Sequence, residues 1–264
     1  MRFGRILLRG KAVYCLIEGD RVRPLAGDVF GSWQALEETV ELKSARFLSP
    51  VLPSKIIAVG LNYRDHAAEM GERLPQEPLM FLKPSTAVIG PGEMIIIPAG
   101  AGRVDYEAEL AIVIGRQGRR IPAAEARRYI MGYTCLNDVT ARELQAQDGQ
   151  WTRAKSFDTF CPLGPWIATG VDPTSLKIQL RLNGFTRQES NTNQLIFDTD
   201  QLVSHISSVM TLLPGDVIAT GTPSGVGPLE AGDVVQVVID GLGVLENQVC
   251  SEGHGPGSDA CGND

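Results

Sequence analysis

Two glutamates one residue apart, Glu107 and Glu109, lie inside the apolar run VDYEAELAIVIG. In a β-strand, residues i and i+2 share a face about 6–7 Å apart along the chain, so both carboxylates point the same way. That face continues as Ala111 and Val113, and the opposite face carries Tyr106, Ala108, Leu110, Ile112 and Ile114. Both faces read as buried. Two carboxylates about 5 Å apart, at an effective dielectric near ~20, repel by roughly 3 kcal/mol before any desolvation cost. Either the strand end emerges into solvent or a bound cation offsets the repulsion, and all-oxygen ligands favour Mg²⁺, Mn²⁺ or Ca²⁺ over zinc. A third carboxylate, Asp138, closes the strand-like YIMGYTCLND before a helical TARE. An Asp at such a junction also serves as an N-cap.

Other polar groups interrupt apolar surroundings. In LNYRDHAAEMGE, His66 and Glu69 stand three apart and share a helix face. The carboxylate there would orient the imidazole and raise its basicity, as a general base requires; the alternative is an exposed surface pair. His205, in QLVSHISSVM, reads as part of an amphipathic helix. Lys83 follows an apolar strand in FLKPS, and Lys155 lies in the polar-aromatic loop AKSFDTF. Near a metal site either lysine would neutralise a substrate carboxylate or a developing enolate. The loop TGTPSGVG offers backbone N–H groups and the Thr222 hydroxyl to an anion but lacks the lysine and spacing of a Walker loop.

The elements that must position these groups are mostly strands. KIIAVG, LMFLKP, AVIGPGEMIII, GPWIATG, LKIQLRLNG, DVIATGTP and DVVQVVIDG are β-branched or alternating runs bounded by Gly, Pro and Asp. Helices are expected only in SWQALEETV, YRDHAAEMGE, PAAEARRYI, TARELQAQDG and TDQLVSHISSVM. The reading is an α+β, β-dominated fold without alternating βαβ units. Residues 1–50 form a small N-terminal β-rich domain, 51–249 the main domain, and 250–264 a flexible tail in which His254 and Cys261 are solvated.

Composition narrows the function. The chain has 264 residues, 43% hydrophobic, with 24 Lys and Arg against 31 Asp and Glu for a net charge of -7. That balance argues against a nucleic-acid partner, which requires clustered cations on phosphates. The five cysteines form no CxxC pair, so a zinc ribbon and a disulfide framework are both unsupported. No run approaches a signal peptide or a membrane span, so no membrane partner and a cytoplasmic location are expected.

Taken in order, NYRDHAAE, FLKPSTAVIGPGE, DYEAELAIVIG, NDVTARE, KSFDTFCPLGPW and TGTPSGVGP closely resemble the fumarylacetoacetate hydrolase family, over about Lys55 to Val249. The resemblance implies a mixed β-sandwich roll, a small N-terminal domain as in bacterial members, a homodimer, and one Mg²⁺ or Mn²⁺. It implies Glu107, Glu109 and Asp138 as metal ligands, and His66, Glu69 and Lys155 as catalytic residues, the first two on a segment able to close as a lid. Lys83, Thr222 and Arg64 are implied as substrate-binding. The additional upstream carboxylate ligand and longer N-terminal domain of the animal-type fumarylacetoacetases have no clear equivalent here.

The implied substrate is a 2-oxo acid or dicarboxylate. The first reaction implied is C–C hydrolysis of an acylpyruvate-type substrate through a metal-stabilised enolate, with Lys155 beside the enolate and His66–Glu69 activating water. Oxaloacetate decarboxylation, and isomerisation or decarboxylation of hydroxyheptadienedioate-type intermediates of aromatic degradation, share that enolate. A catalytically silent dicarboxylate-binding relative is the reading from another class.

Overall fold

The β-branched runs do become strands, because their side chains fill both sides of a pleated surface. The structure, a computed structural model, describes residues 1–253; His254 and Cys261 lie outside the described residues. In the largest sheet the hydrogen-bonded order is Trp33–Ala35, Arg21–Gly27, Lys11–Glu18, Arg2–Leu8, Cys161–Ala168, Ile130–Asn137, Ala108–Ile114, Val217–Ala219, Ile56–Gly60 and Leu79–Lys83. A second sheet runs Met94–Ile97, Gly243–Ser251, Val234–Ile239, Lys177–Leu182 and Phe185–Asn191. A third, small sheet joins Thr140–Ala141, Val104–Tyr106 and Gly227–Pro228. This is the expected β-dominated α+β architecture.

Ala108–Ile114 is the hub. Leu110, Ile112 and Ile114 pack with Ile178, Leu180, Val235 and Val237 of the second sheet. Ala111 and Val113 face the other way, onto Ile56, Ala58, Leu163, Val217 and Ala219. Burying each large aliphatic side chain contributes about 1.5–3 kcal/mol. A strand gripped on both faces is therefore a stiff mount for charges at its end.

The N-terminal strands add to the same sheet, with Arg2 and Phe3 paired to Ala168 and Ile167. Chain-local propensity gives way to pairing in several places. SWQALEETV is not a helix: Trp33–Ala35 pairs with Leu25–Gly27, and Val40–Glu41 with Arg21 and Val22. Trp33 packs on Phe3 with ring centroids 5.4 Å apart, a contact that an exposed helix would not make. AVIGPGEMIII is cut by a turn into Val88–Ile89 and Met94–Ile97, which join different sheets. The final strand, Gly243–Ser251, continues into the stretch expected to be tail, and Cys250 is buried.

The helices are short and peripheral. Arg64–Met70 ends at Gly71 in the left-handed conformation, and Thr199–Val209 begins with a capping box between Asp198 and Gln201. His205 sits on this second helix, whose Leu202, Val203 and Ile206 are buried. Among the described residues, no helix is long and apolar enough to cross a membrane.

Candidate active site

The strand carrying the two glutamates is broken at the first of them. Val104–Tyr106 belongs to the small sheet and Ala108–Ile114 to the large one, leaving Glu107 at the join. The join is held by side chains and backbone together: Glu107 N–H donates to Asn137 Oδ1 (2.9 Å) and Asp138 N–H to the Glu107 carbonyl (2.9 Å). Asp138 is not a helix cap. Helix Arg142–Asp148 starts after Ala141, which frees the Asp138 carboxylate to turn inward. Glu107, Glu109 and Asp138 are all buried and each places an oxygen within 4.8 Å of the other two.

Cations are distributed unevenly over this triad. Lys155 Nζ donates to Glu107 Oε2 (2.8 Å) and Asp138 Oδ2 (2.6 Å), and Lys83 Nζ to Asp138 Oδ1 (2.5 Å). Arg142 donates to Glu107 Oε1 (2.6 Å) and Asp105 Oδ2 (2.8 Å), while Arg103 holds the other oxygen of Asp105 (2.6 Å). Among the described residues Glu109 receives only the Gly221 N–H, at 2.7 Å. Burial pushes the Glu107 carboxyl up, but Lys155 and Arg142 together outweigh it and hold the group down at about 2. For Glu109 burial acts with the charges of Asp138 and Glu107, and its carboxyl is raised well above the ordinary value. Burial alone would lower Lys155, yet Asp138 and Glu107 raise it, so it stays an ammonium.

Lys155 is the last residue of a short helix, Thr152–Lys155, not part of a loop. Its Nζ lies 5.1 Å from the centre of the Phe81 ring. The His66 imidazole also lines the cavity. Leu61 is left-handed (φ 51°), a conformation costing a non-glycine residue about 1–2 kcal/mol, and reverses the chain from strand Ile56–Gly60 toward helix Arg64–Met70. His66 Nδ1 is 3.1 Å from Glu69 Oε2, and Gly225 N–H donates to both Glu69 oxygens (3.1 and 3.2 Å).

These groups line one cavity of about 360 Å³. Its lining includes the polar His66, Glu107, Glu109, Asp138, Lys155 and Thr222, the apolar Met70, Leu79, Phe81 and Trp151, and Arg142, Gln145 and Glu72. Lys83 is not on the wall but lies beneath it, reaching the site through Asp138. Arg64 is directed elsewhere and donates to the Leu195 carbonyl at 2.6 Å. Sequence reasoning passed over Arg142, although it stands in NDVTARE, and over Asp105, which alternates with Glu107 and Glu109. Acid at every second residue of one run was the available signal.

Two glycines are dictated by this geometry. A Cβ on Gly221, which has φ 98°, would sit 2.8 Å from Asn62 Cβ, so only glycine delivers the N–H that Glu109 accepts. A Cβ on Gly60 would meet the Trp151 ring at 2.5 Å. Gly60→Ala is therefore expected to displace Trp151 from the cavity wall, at a stability cost of about 1–3 kcal/mol. A changed tryptophan emission spectrum together with a lower denaturation midpoint checks this.

The donor set suits a hard divalent cation: three buried carboxylates and no soft ligand among them. Two further observations agree. Glu109 is the one acid of the triad without a cationic partner, and the buried Tyr63 hydroxyl, close enough for Glu109 to raise its pKa after burial has done so, has no hydrogen-bond partner. Burial pushes the Cys15, Cys135 and Cys161 thiols up to about 12, so thiolate chemistry has no support at these three.

The fold gathers three carboxylates, a buried lysine and a His–Glu pair onto one cavity, an arrangement suited to a hard divalent cation beside groups able to move protons. The chain belongs to the fumarylacetoacetate hydrolase family: the family described as fumarylacetoacetate (FAA) hydrolase C-terminal matches residues 55–250, and one described as Rv2993c-like, N-terminal, matches residues 1–50. The crystal structure of a 2-hydroxyhepta-2,4-diene-1,7-dioate isomerase from Mycobacterium marinum superposes with a TM-score of 0.90 at 46% identity, covering 96% of this chain and 99% of that one. The mitochondrial oxaloacetate tautomerase Fahd2a of Rattus norvegicus is 46% identical over 77% of this chain and 69% of its own. A maleylpyruvate hydrolase from Sphingobium sp. SYK-6, solved with manganese(II) and pyruvate, aligns with a TM-score of 0.80 at 31% identity over 95% and 99% of the two chains.

Proposed function

We propose that the protein is a divalent-metal-dependent enzyme that cleaves acylpyruvate-type 2-oxo acids by C–C hydrolysis. The observation that carries this reading is that the acidic triad, Lys155 and the His66–Glu69 pair share one cavity. Glu107, Glu109 and Asp138 would hold Mg²⁺ or Mn²⁺, which when bound supplies Lewis acidity and a template for the 2-oxo acid end. Lys155 has three N–H donors, of which Glu107 and Asp138 take two; the third is free to donate to a developing enolate oxygen. His66, oriented by Glu69, takes a proton from water as its oxygen adds to the distal carbonyl. The bond from that carbon to C3 then breaks, its electron pair goes to C3, and protonation there leaves a carboxylic acid and pyruvate. Residues 1–50 are proposed as a small domain preceding this catalytic one, and the assembly as a cytoplasmic homodimer.

The two 46%-identical relatives favour a second reading, since they are named as an isomerase and a tautomerase. Keto–enol or double-bond transfer uses the same proton movement by His66 without water attack. A panel of an acylpyruvate, oxaloacetate and a hydroxyheptadienedioate, each with Mg²⁺ or Mn²⁺, separates the two. Hydrolysis predicts acid and pyruvate in equal amounts; enol loss without cleavage would make the second reading the right one, and full turnover in excess chelator would overturn both. His66→Ala is expected to lower acylpyruvate turnover by about 10²–10⁴-fold while Mn²⁺ affinity, measured by calorimetry, is unchanged.

A further inference from the structure

Gln188 is the one fully buried side chain of the otherwise exposed or half-buried strand Phe185–Asn191. Its amide orientation is fixed by unambiguous partners. Oε1 accepts the Ala108 N–H (2.9 Å), the backbone donor left beside the break at Glu107. Nε2 donates to the Pro223 carbonyl (2.8 Å) and to Thr222 Oγ1 (2.9 Å), its two short contacts, with the Ser224 carbonyl farther off at 3.5 Å. A single buried amide thus ties the join between two sheets to the Thr222–Pro223 loop at the cavity.

The bond to Thr222 has a chemical consequence. A hydroxyl has one hydrogen to give, and here its oxygen is already accepting. Thr222 lines the cavity, is 5% exposed, and makes no other hydrogen bond among the described residues. Its hydrogen is therefore available to an acceptor in the cavity. We infer that Gln188 is a positioning residue that sets Thr222 as a hydrogen-bond donor to an anionic oxygen of the bound 2-oxo acid; this rests on reading the cavity as a 2-oxo acid site.

Oxalate, a small dianion resembling the 2-oxo acid end, serves as the probe, with calorimetric Kd values measured in the presence of saturating Mn²⁺ on the full chain. Gln188→Glu keeps the acceptor for Ala108 but replaces the donating NH₂ by an oxygen, which would draw the Thr222 hydrogen away from the cavity. It is expected to weaken oxalate binding about tenfold or more, the scale of a hydrogen bond to a charged group, with Mn²⁺ affinity within about threefold of wild type. Thr222→Val leaves the Ala108 and Pro223 bonds of Gln188 in place and is expected to match that loss, and the double variant to be no weaker than the worse single one. Losses that multiply instead of saturating would make Gln188 merely structural. Unchanged oxalate affinity in Thr222→Val would overturn the inference even if Gln188→Glu does not fold. Wild-type protein that binds Mn²⁺ but not oxalate would overturn the reading of the cavity itself, and the inference with it.

Discussion

Glu109→Gln is expected to abolish Mn²⁺ binding while leaving the metal-free fold intact or more stable. Glu107 and Asp138 each form ion pairs with two cationic side chains, whereas Glu109 forms none among the described residues and feels Lys155 only at a distance, so much of its charge is left for an added cation to match. Replacing it should cost at least about 100-fold in Mn²⁺ affinity, since even groups one step removed from a metal commonly cost 10–100-fold. Turnover should fall by about 10³-fold or more. In the metal-free wild type the raised pKa of Glu109 has a definite sign. The folded state binds that proton more tightly than the unfolded chain, so the associated stability is fully present below the ordinary value of 4.5 and is lost as pH rises through the higher folded value. Thermal melts against pH should show this loss in chelator, its suppression by Mn²⁺, and its absence in Glu109→Gln. Glu107 behaves oppositely: its contribution is present above 4.5 and is lost as pH falls toward about 2. A Glu109→Gln protein that still binds Mn²⁺ with wild-type affinity would remove Glu109 from the ligand set.

Lys155→Met is expected to separate metal binding from chemistry. The ammonium is 2% exposed and bridges Glu107 and Asp138, so removing it leaves two desolvated carboxylates partly uncompensated. Breaking a buried pair in this way costs about 3–5 kcal/mol, which denaturant unfolding of the metal-free protein would read. The cation that competes for the same oxygens is also gone, so Mn²⁺ should bind tighter, by about tenfold or more on Coulomb grounds. Turnover should nonetheless fall by about 10²–10³-fold, because the donor proposed for the enolate oxygen is missing. Weaker Mn²⁺ binding with unchanged turnover would show that Lys155 only props the triad.

Period and composition expose some of this architecture and hide the rest for physical reasons. The alternation in VDYEAELAIVIG announces a strand buried on both faces, and its two apolar faces do enter separate clusters. The interruption at Glu107 is invisible in the sequence, because it is made by Asn137 and by pairing with Thr140–Ala141 and Gly227–Pro228, segments far along the chain. SWQALEETV misleads because helix propensity is a weak prior beside the edge pairing offered by Arg21–Gly27. Lys155 reads as a loop residue because one helical turn ending before an aromatic stretch has no period to detect. Gln188 was unreadable: a lone amide between charged neighbours looks like surface, and only the fold shows that it is buried.

The site's residues are drawn from positions 66, 107, 109, 138, 155 and 222, on helices, loops and a strand that meet through sheet pairings between segments distant in sequence. Native pairings of such separation must pay loop-closure entropy before they gain contacts, which makes folding slow and leaves no partial site along the way. Cation affinity is then a property acquired at the end of folding. Any ion bound there would stabilise the completed chain over its incomplete forms, by an amount that grows with the free ion concentration relative to its Kd.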